Sequence, residues 1–246
     1  MSRHVILFLF GAGCAGAGYS GSSQGRASAS PMDLVPGGVA VVGCSETDVD
    51  CPAFNRARRV EVSPFLMARF EVTEDQHADC VEAGSCAGGT RRSQYPISVA
   101  SLEDARAYCK WRGQRLPTSV EWERAARGAD GRLFPWGANR PTCELATYSS
   151  CAPSADHALR NAVSEVGSHP VGAGPYGTQD LAGNLPEWTE CGDVGGVDCV
   201  AVIRGQLFAD ENGLRTYVGV VVERGDVVNF LQAGIRCAGD VRRGGR

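Results

Sequence analysis

A chain of 246 residues with a formal net charge of −4, 43% apolar and 21% charged residues, has the make-up of a soluble globular protein. That length fits one large domain or two small ones with a sizeable core, and the mildly acidic balance gives no basis for a nucleic-acid partner. Thirty-two glycines point to a loop-rich fold, and eleven cysteines suit an oxidising compartment better than a cytosol.

Arg3 and His4 precede a short apolar run, Val5 to Phe10. The run cannot span a bilayer, so residues 1–13 are expected to be a secretion signal. Gly11-Ala12-Gly13-Cys14 resembles the lipobox of bacterial lipoproteins, with Gly11 where a leucine is usual. Lipidation at Cys14 is the expectation, set against an ordinary cleaved signal with a coincidental cysteine. Residues 14–31 are rich in Gly, Ser and Ala and are expected to form a flexible tether. One folded domain is expected over 32–240. A basic tail, 241–246, carries Arg242, Arg243 and Arg246, and its plain reading is a solvated end.

Within the domain, Val35 to Val42 reads as a first strand. Arg59 to Phe65 alternates and reads as a second, with Pro64 near its end, and Met67 to Val72 as a third. Thr73-x-x-Gln76 is a capping box opening a helix to about Ala83. Ser101-x-x-Asp104 caps another helix through Trp111 to Gly113, whose buried face would be Leu102, Ala105, Tyr108 and Cys109. Thr118-x-x-Glu121 opens a third. Pro117 biases Leu116 away from helix, Trp122, Ala125 and Ala126 share one face, and Gly128 ends it. Phe134-Pro135-Trp136-Gly137 then buries two aromatics in a turn. Beyond Ala138 the chain reads mainly as loop, with short strands at Val200 to Arg204, Gly219 to Val222 and Gly234 to Cys237. The mixture reads as α+β.

Ten cysteines follow Cys14. Eight fall into close neighbours: Cys44/Cys51, Cys80/Cys86, Cys143/Cys151 and Cys191/Cys199. Each pair closes a short loop, and none has the C-x-x-C spacing of a metal site. Cys109 and Cys237 are left over. Spacing alone does not settle connectivity. His4, His77, His157 and His169 lie far apart without ligand spacing, which argues against catalytic zinc.

The string RLPTSVEWERAARG followed by FPWG (Arg115 to Gly137) resembles the sulfatase-modifying factor family, whose best-known member is the formylglycine-generating enzyme. The likeness continues in order through PFLMARFEVTEDQ, EDARAYCKWRG, YGTQDLAGNLPEWT, Arg204-Gly205 and AGIRCA. It covers roughly Met32 to Asp240. It implies a loop-rich, C-type-lectin-like arrangement of the α+β class. It implies a long-range disulfide between Cys109 and Cys237. It also implies a structural calcium ion held in part by Asn184 and Glu187, of the kind of site that hard oxygen ligands make. The bland alternative leaves Asn184 supporting a turn and Glu187 solvated. The family's other calcium site uses an Asn where Ala146-Thr147 stand here, so a second ion is not expected. Relatives with histidine-bound iron carry it in an added domain that has no counterpart here.

In the formylglycine-generating enzyme, two cysteines with four residues between them follow an R-G-G-S-aromatic segment and bind Cu(I), which suits soft thiolates. Counted from Arg204, those positions are Asp210 and Arg215, and the Gly and Ser have become Gln206 and Leu207. The resemblance therefore implies a domain without the oxidase chemistry, with copper not expected. The expected function is a binding or interaction module of the cell envelope, anchored to the outer membrane by lipid. Its groove, lined by Gln206, Phe208, Asp210, Glu211 and Arg215, would take a peptide, a glycan or a protein. Two alternatives stay open. One is a formylglycine-generating oxidase with a displaced copper site, for instance at Cys191 and Cys199. The other is a purely structural envelope protein.

Overall fold

The structure, a computed structural model, describes residues 28–44, 56–99, 101–151, 163–192, 198–205, 214–216, 219–223 and 233–241. The expected signal, Cys14, most of the tether, Cys51 and residues 242–246 of the basic tail lie outside the described residues, as do Gln206, Phe208, Asp210 and Glu211. Among the described residues there are three α-helices and eight short strands in three small antiparallel sheets. This is the expected α+β class.

The expected first strand is two strands. β1 (Met32–Val35) and β2 (Gly38–Val42) are separated by Pro36-Gly37 and pair in different sheets. The reason is local. Pro36 cannot donate to a ladder, and Gly37 packs so tightly that a Cβ there would sit 2.8 Å from Pro64 Cδ and 2.9 Å from the Val62 carbonyl. β2 pairs with β3 (Arg58–Val62), whose expected course ends early at Pro64. β4 (Phe65–Ala68) lies between β1 and β8 (Ala238–Asp240). The third strand therefore starts and stops earlier than its sequence suggests. The last one starts later, because residues 235–237 bond only singly, Val72 N–H donating to Ile235 and Ala68 N–H to Cys237.

The helices follow their caps. α1 (Glu74–Glu82) and α3 (Ser119–Arg127) start on complete capping boxes from Thr73/Gln76 and Thr118/Glu121. α2 (Leu102–Trp111) starts at Ser101, which accepts from the Asp104 N–H. Its four expected inward residues are all buried. Gly128 closes α3 at φ 67°, where a side chain would be strained.

The third sheet holds β5 (Glu187–Glu190), β6 (Cys199–Arg204) and β7 (Gly219–Glu223), with β6 central. α2 packs on it through Leu102, Ala105 and Tyr108 against Trp188, Ala201, Ile203 and Ile235, and α1 packs against α2. α3 lies on the other flank, with Trp122, Ala125 and Ala126 against Val35, Ala40, Val42, Phe65 and Met67. The aromatic turn stacks Phe134 on Trp136 with centroids 5.3 Å apart. Phe134 is buried as expected, but Trp136 is only partly so. Cys80–Cys86, Cys109–Cys237, Cys143–Cys151 and Cys191–Cys199 are disulfides, each as expected; Cys44 is buried, and its expected partner lies outside the described residues.

Candidate functional site

β6 delivers Arg204 and Gly205 to the start of the expected groove, and α3 and β5 close on them from behind. Gly205 sits at φ 69°, with Trp122 Cζ2 and the Leu185 carbonyl 3.6 Å from where a Cβ would project. Arg204 is buried. Its guanidinium donates to Ser119 Oγ at 2.6 and 2.8 Å and pairs with Glu123 at 3.1 Å. Burial pushes Arg204 below its ordinary value while Glu123 opposes that shift. Glu123 also accepts from Arg127 and from the Gly43 N–H, both at 2.7 Å. The Glu123–Arg127 spacing of one helical turn is what lets one carboxylate serve both arginines. Arg215, the second copper-ligand position of the family, is described and partly buried between Leu214 and Thr216. Thr216 bonds the Leu133 carbonyl at 3.2 Å, so this short segment is pinned to the aromatic turn.

Behind this lies a second buried network. Glu187 accepts from Trp122 Nε1 at 2.6 Å and from Arg236 in a fork at 2.6 to 3.1 Å. Arg236, wholly buried, also donates to the Ala68 and Arg69 carbonyls at 3.1 and 2.8 Å. Around it stand Glu71, Asp180 and Asn184, all buried. Glu71 accepts from Asn184 Nδ2 at 2.5 Å and from the Leu185 N–H at 3.1 Å. Burial pushes the Glu71 carboxyl well above the ordinary range. Glu187 and Asp180 add to the shift, while Arg236 and Asn184 oppose it. Burial likewise raises Asp180, which accepts from the Gly167 N–H at 2.8 Å.

The expected calcium ligands belong to this network, and their placement does not fit a cation. Both oxygens of Glu187 receive hydrogens from Arg236 and one also from Trp122. Asn184 Oδ1 accepts from the Ser164 N–H at 2.9 Å, and its amide nitrogen faces Glu71. A guanidinium against Glu187 repels a divalent ion and already neutralises the carboxylate. Among the described residues no three His, Cys, Asp or Glu side chains converge as a metal centre. At the other family calcium position, Thr147 Oγ1 lies 2.7 Å from His169 Nε2 and 2.6 Å from Ser164 Oγ. A hydroxyl–imidazole contact ties those loops.

Of the expected groove, only Arg215 can be placed. Sequence reasoning missed the roles of Trp122, Glu123, Arg204 and Arg236. The one-turn spacing of Glu123 and Arg127 was a usable signal. The meeting of Glu187 with Arg236, 49 residues apart, had none.

The family model described as the sulfatase-modifying factor enzyme 1-like domain matches residues 20–241. The chain belongs to this family. It is 38% identical over 136 residues to the inactive C-alpha-formylglycine-generating enzyme 2 of Bos taurus, covering 52% of this chain and 43% of that protein. It is 35% identical over 101 residues to the formylglycine-generating enzyme of Mycobacterium tuberculosis, covering 40% of this chain and 34% of that one. The chain thus spans less than half the length of these curated relatives. Among solved structures, PvdO from Pseudomonas aeruginosa superposes with a TM-score of 0.65 at 21% identity, covering 85% of this chain and 94% of that one. That likeness concerns the fold alone.

Proposed function

We propose that this sulfatase-modifying-factor-like domain is an exported, lipid-anchored binding module of the cell envelope that lacks formylglycine-generating chemistry. The observation that carries the reading is the state of the cysteines around the groove. Arg204 is followed by no cysteine until Cys237, and Cys237 is bonded to Cys109. Cys191 and Cys199, the candidates for a displaced copper site, are bonded to each other. A disulfide offers no thiolate, and Cu(I) binding by soft donors needs one. At the family's copper positions Asp210 supplies hard oxygen and Arg215 a fixed cation. The similarity to a relative named as inactive is compatible with this reading. A segment carrying Gln206, Asp210, Glu211 and Arg215 has the charged and hydrogen-bonding side chains that suit recognition of a peptide, glycan or protein surface.

The test is direct. The purified chain is incubated with Cu(I), oxygen and a peptide containing C-x-P-x-R, the sequence on which enzymes of this family act. The expected result is an unchanged peptide and no stoichiometric copper. An aldehyde at the peptide cysteine, seen by mass, would overturn the reading. Fractionation tests the anchor: wild-type chain made in a Gram-negative host should be membrane-bound, and Cys14→Ser should move it to the soluble periplasm.

A further inference from the structure

α1 is followed by a loop, residues 84–92, that folds back along its own helix. Both ends of the loop are fastened. At the near end Cys86 is bonded to Cys80, and the Ser85 and Cys86 N–H groups donate to the Cys80 carbonyl at 3.0 and 3.3 Å. At the far end Arg91 pairs with Glu74 at 2.9 Å, and Arg92 with Asp79 at 3.0 Å and Glu82 at 2.8 Å. Between them lies Ala87-Gly88-Gly89-Thr90, with every residue exposed. Among the described residues, no hydrogen bond joins the backbone of this stretch to another backbone group.

This middle stretch covers a histidine. A Cβ on Gly88 would lie 3.4 Å from His77 Cε1, and the φ of 128° there suits glycine. His77 is 2% exposed, and its ring stacks on the buried Tyr108 with centroids 6.0 Å apart. Among the described residues, neither of its ring nitrogens has a hydrogen-bond partner. Asp104 of α2 faces the imidazole, and its Oδ2 already accepts from the Ser101 hydroxyl at 2.7 Å. Asp79 of α1 and Arg112 of α2 face Tyr108, and Asp79 is held by Arg92. Residues 87–90 bring no charge. A neutral imidazole can stay under this cover. An imidazolium carries a charge and two N–H donors, and burying those without partners is costly.

We propose that residues 87–90 are a proton-operated flap: when His77 takes up a proton they lift from the ring and open the His77–Tyr108 pair to solvent, while both ends of the loop stay fastened. Water then supplies the acceptors that the two N–H groups lack. The flap is the wall that yields most cheaply. α1 and α2 are held by their own helical bonds and by the core around Cys80, Tyr108 and Cys109, whereas residues 87–90 are exposed and carry no ladder. Burial holds the covered ring below its ordinary 6.5, and Asp104 opposes this only in part. Opening returns the ring towards 6.5, so the open form binds the proton more tightly. The open fraction therefore rises as pH falls below about 6.5, by up to roughly tenfold per unit while the covered ring stays neutral. None of this depends on what the groove binds.

The test is an NMR titration of the full chain, disulfides intact, from about pH 7.5 to 5. The Gly88 and Gly89 amide signals should shift with a single midpoint, below 6.5 and shared with the His77 Cε1–H signal. Below that midpoint, a neutral paramagnetic relaxation agent should broaden the Tyr108 ring signals several-fold more than at the start. His77→Phe keeps an aromatic ring and removes the titrating nitrogens. In that variant the glycine signals should no longer titrate, and Tyr108 should stay shielded throughout. Asp104→Asn leaves His77 in place and removes the carboxylate facing it, so it should move the midpoint to lower pH. It keeps the test open should His77→Phe fail to fold. Glycine signals indifferent to pH overturn the proposal, as does a response that persists in His77→Phe or a midpoint unmoved in Asp104→Asn. Titration of His77 with Tyr108 still shielded overturns it too, because the proton would then enter without the flap lifting.

Discussion

Two neighbouring regions have been treated differently in this chain. In the framework behind Arg204, Glu187, Trp122 and Arg236 meet at 2.6 to 3.1 Å, all three buried. The sequence after Arg204, the last residue of β6, has Asp210 and Arg215 where the family's oxidase needs thiolates. The two differ in what a substitution costs. Changing one member of a buried charge network strands the others in low dielectric. A substitution outside such a network strands no charge. The framework therefore tolerates fewer replacements than positions outside such a network.

The largest effect on the framework should come from its covalent staple. Cys109–Cys237 closes a separation of 128 residues, for which the chain-entropy model gives about 4–5 kcal/mol. Replacing both by alanine should lower the melting temperature by roughly 10–20 °C. A drop of only a degree or two would show that the packing of α2 against residues 235–237 is sufficient without the bond.

Next comes the ion pair. Arg236→Met leaves Glu187 buried, with Glu71 and Asp180 adding to the uncompensated charge, and should cost about 3–5 kcal/mol. Adding Glu187→Gln should recover a large part of that loss, since it removes the stranded charge. Denaturant unfolding of the two variants measures the difference. Equal stabilities would mean that Arg236 acts through its bonds to the Ala68 and Arg69 carbonyls and not through Glu187.

How much of this was legible depends on the range of the interaction. The three helices were readable because Thr73, Ser101 and Thr118 declare their own caps within one turn. The buried face of α2 was readable because 3.6-residue periodicity is local. The break at Pro36-Gly37 was written in plain sight, yet an apolar run on both sides masked it. β5 was invisible: Glu187, Trp188 and Thr189 are all buried, so the strand shows no alternation. Glu187 read as a solvated charge or a calcium ligand because nothing near it in sequence announces Arg236. The family resemblance supplied the Cys109–Cys237 pairing, which spacing could not.

A smaller effect should appear as pH falls. His77 is buried on α1, stacked on Tyr108 at 6.0 Å, with neither ring nitrogen hydrogen-bonded among the described residues. The groups facing it are Tyr108 and Asp104 of α2, with Gly88 of the loop above. Burial pushes its pKa below the ordinary 6.5, and Asp104 opposes this only in part. A depressed histidine means that the unfolded chain binds more protons, so its share of stability is complete above about 6.5 and is lost as pH falls below that. His77→Phe should therefore flatten the stability curve between pH 7 and 5. Glu71, raised and so of opposite sign, is present in both proteins and cancels in the difference. Parallel curves would refute the assignment.

The smallest expected effect is that of a chelator. The contact pattern at Asn184 and Glu187 assigns each oxygen a hydrogen-bond donor: Ser164 N–H on Asn184, Arg236 and Trp122 on Glu187. A calcium ion there would have to displace a buried guanidinium that, among the described residues, has no other carboxylate in hydrogen-bond contact, and then find the six to eight oxygen ligands that calcium takes. The arginine already does the work of the ion, with two carbonyls as further acceptors. Adding a chelator should leave the melting temperature unchanged, and added calcium should not raise it. A fall on chelation that disappears in Asn184→Ala would restore the metal to this position. It would also mean that the Glu187–Arg236 contact opens when the ion binds.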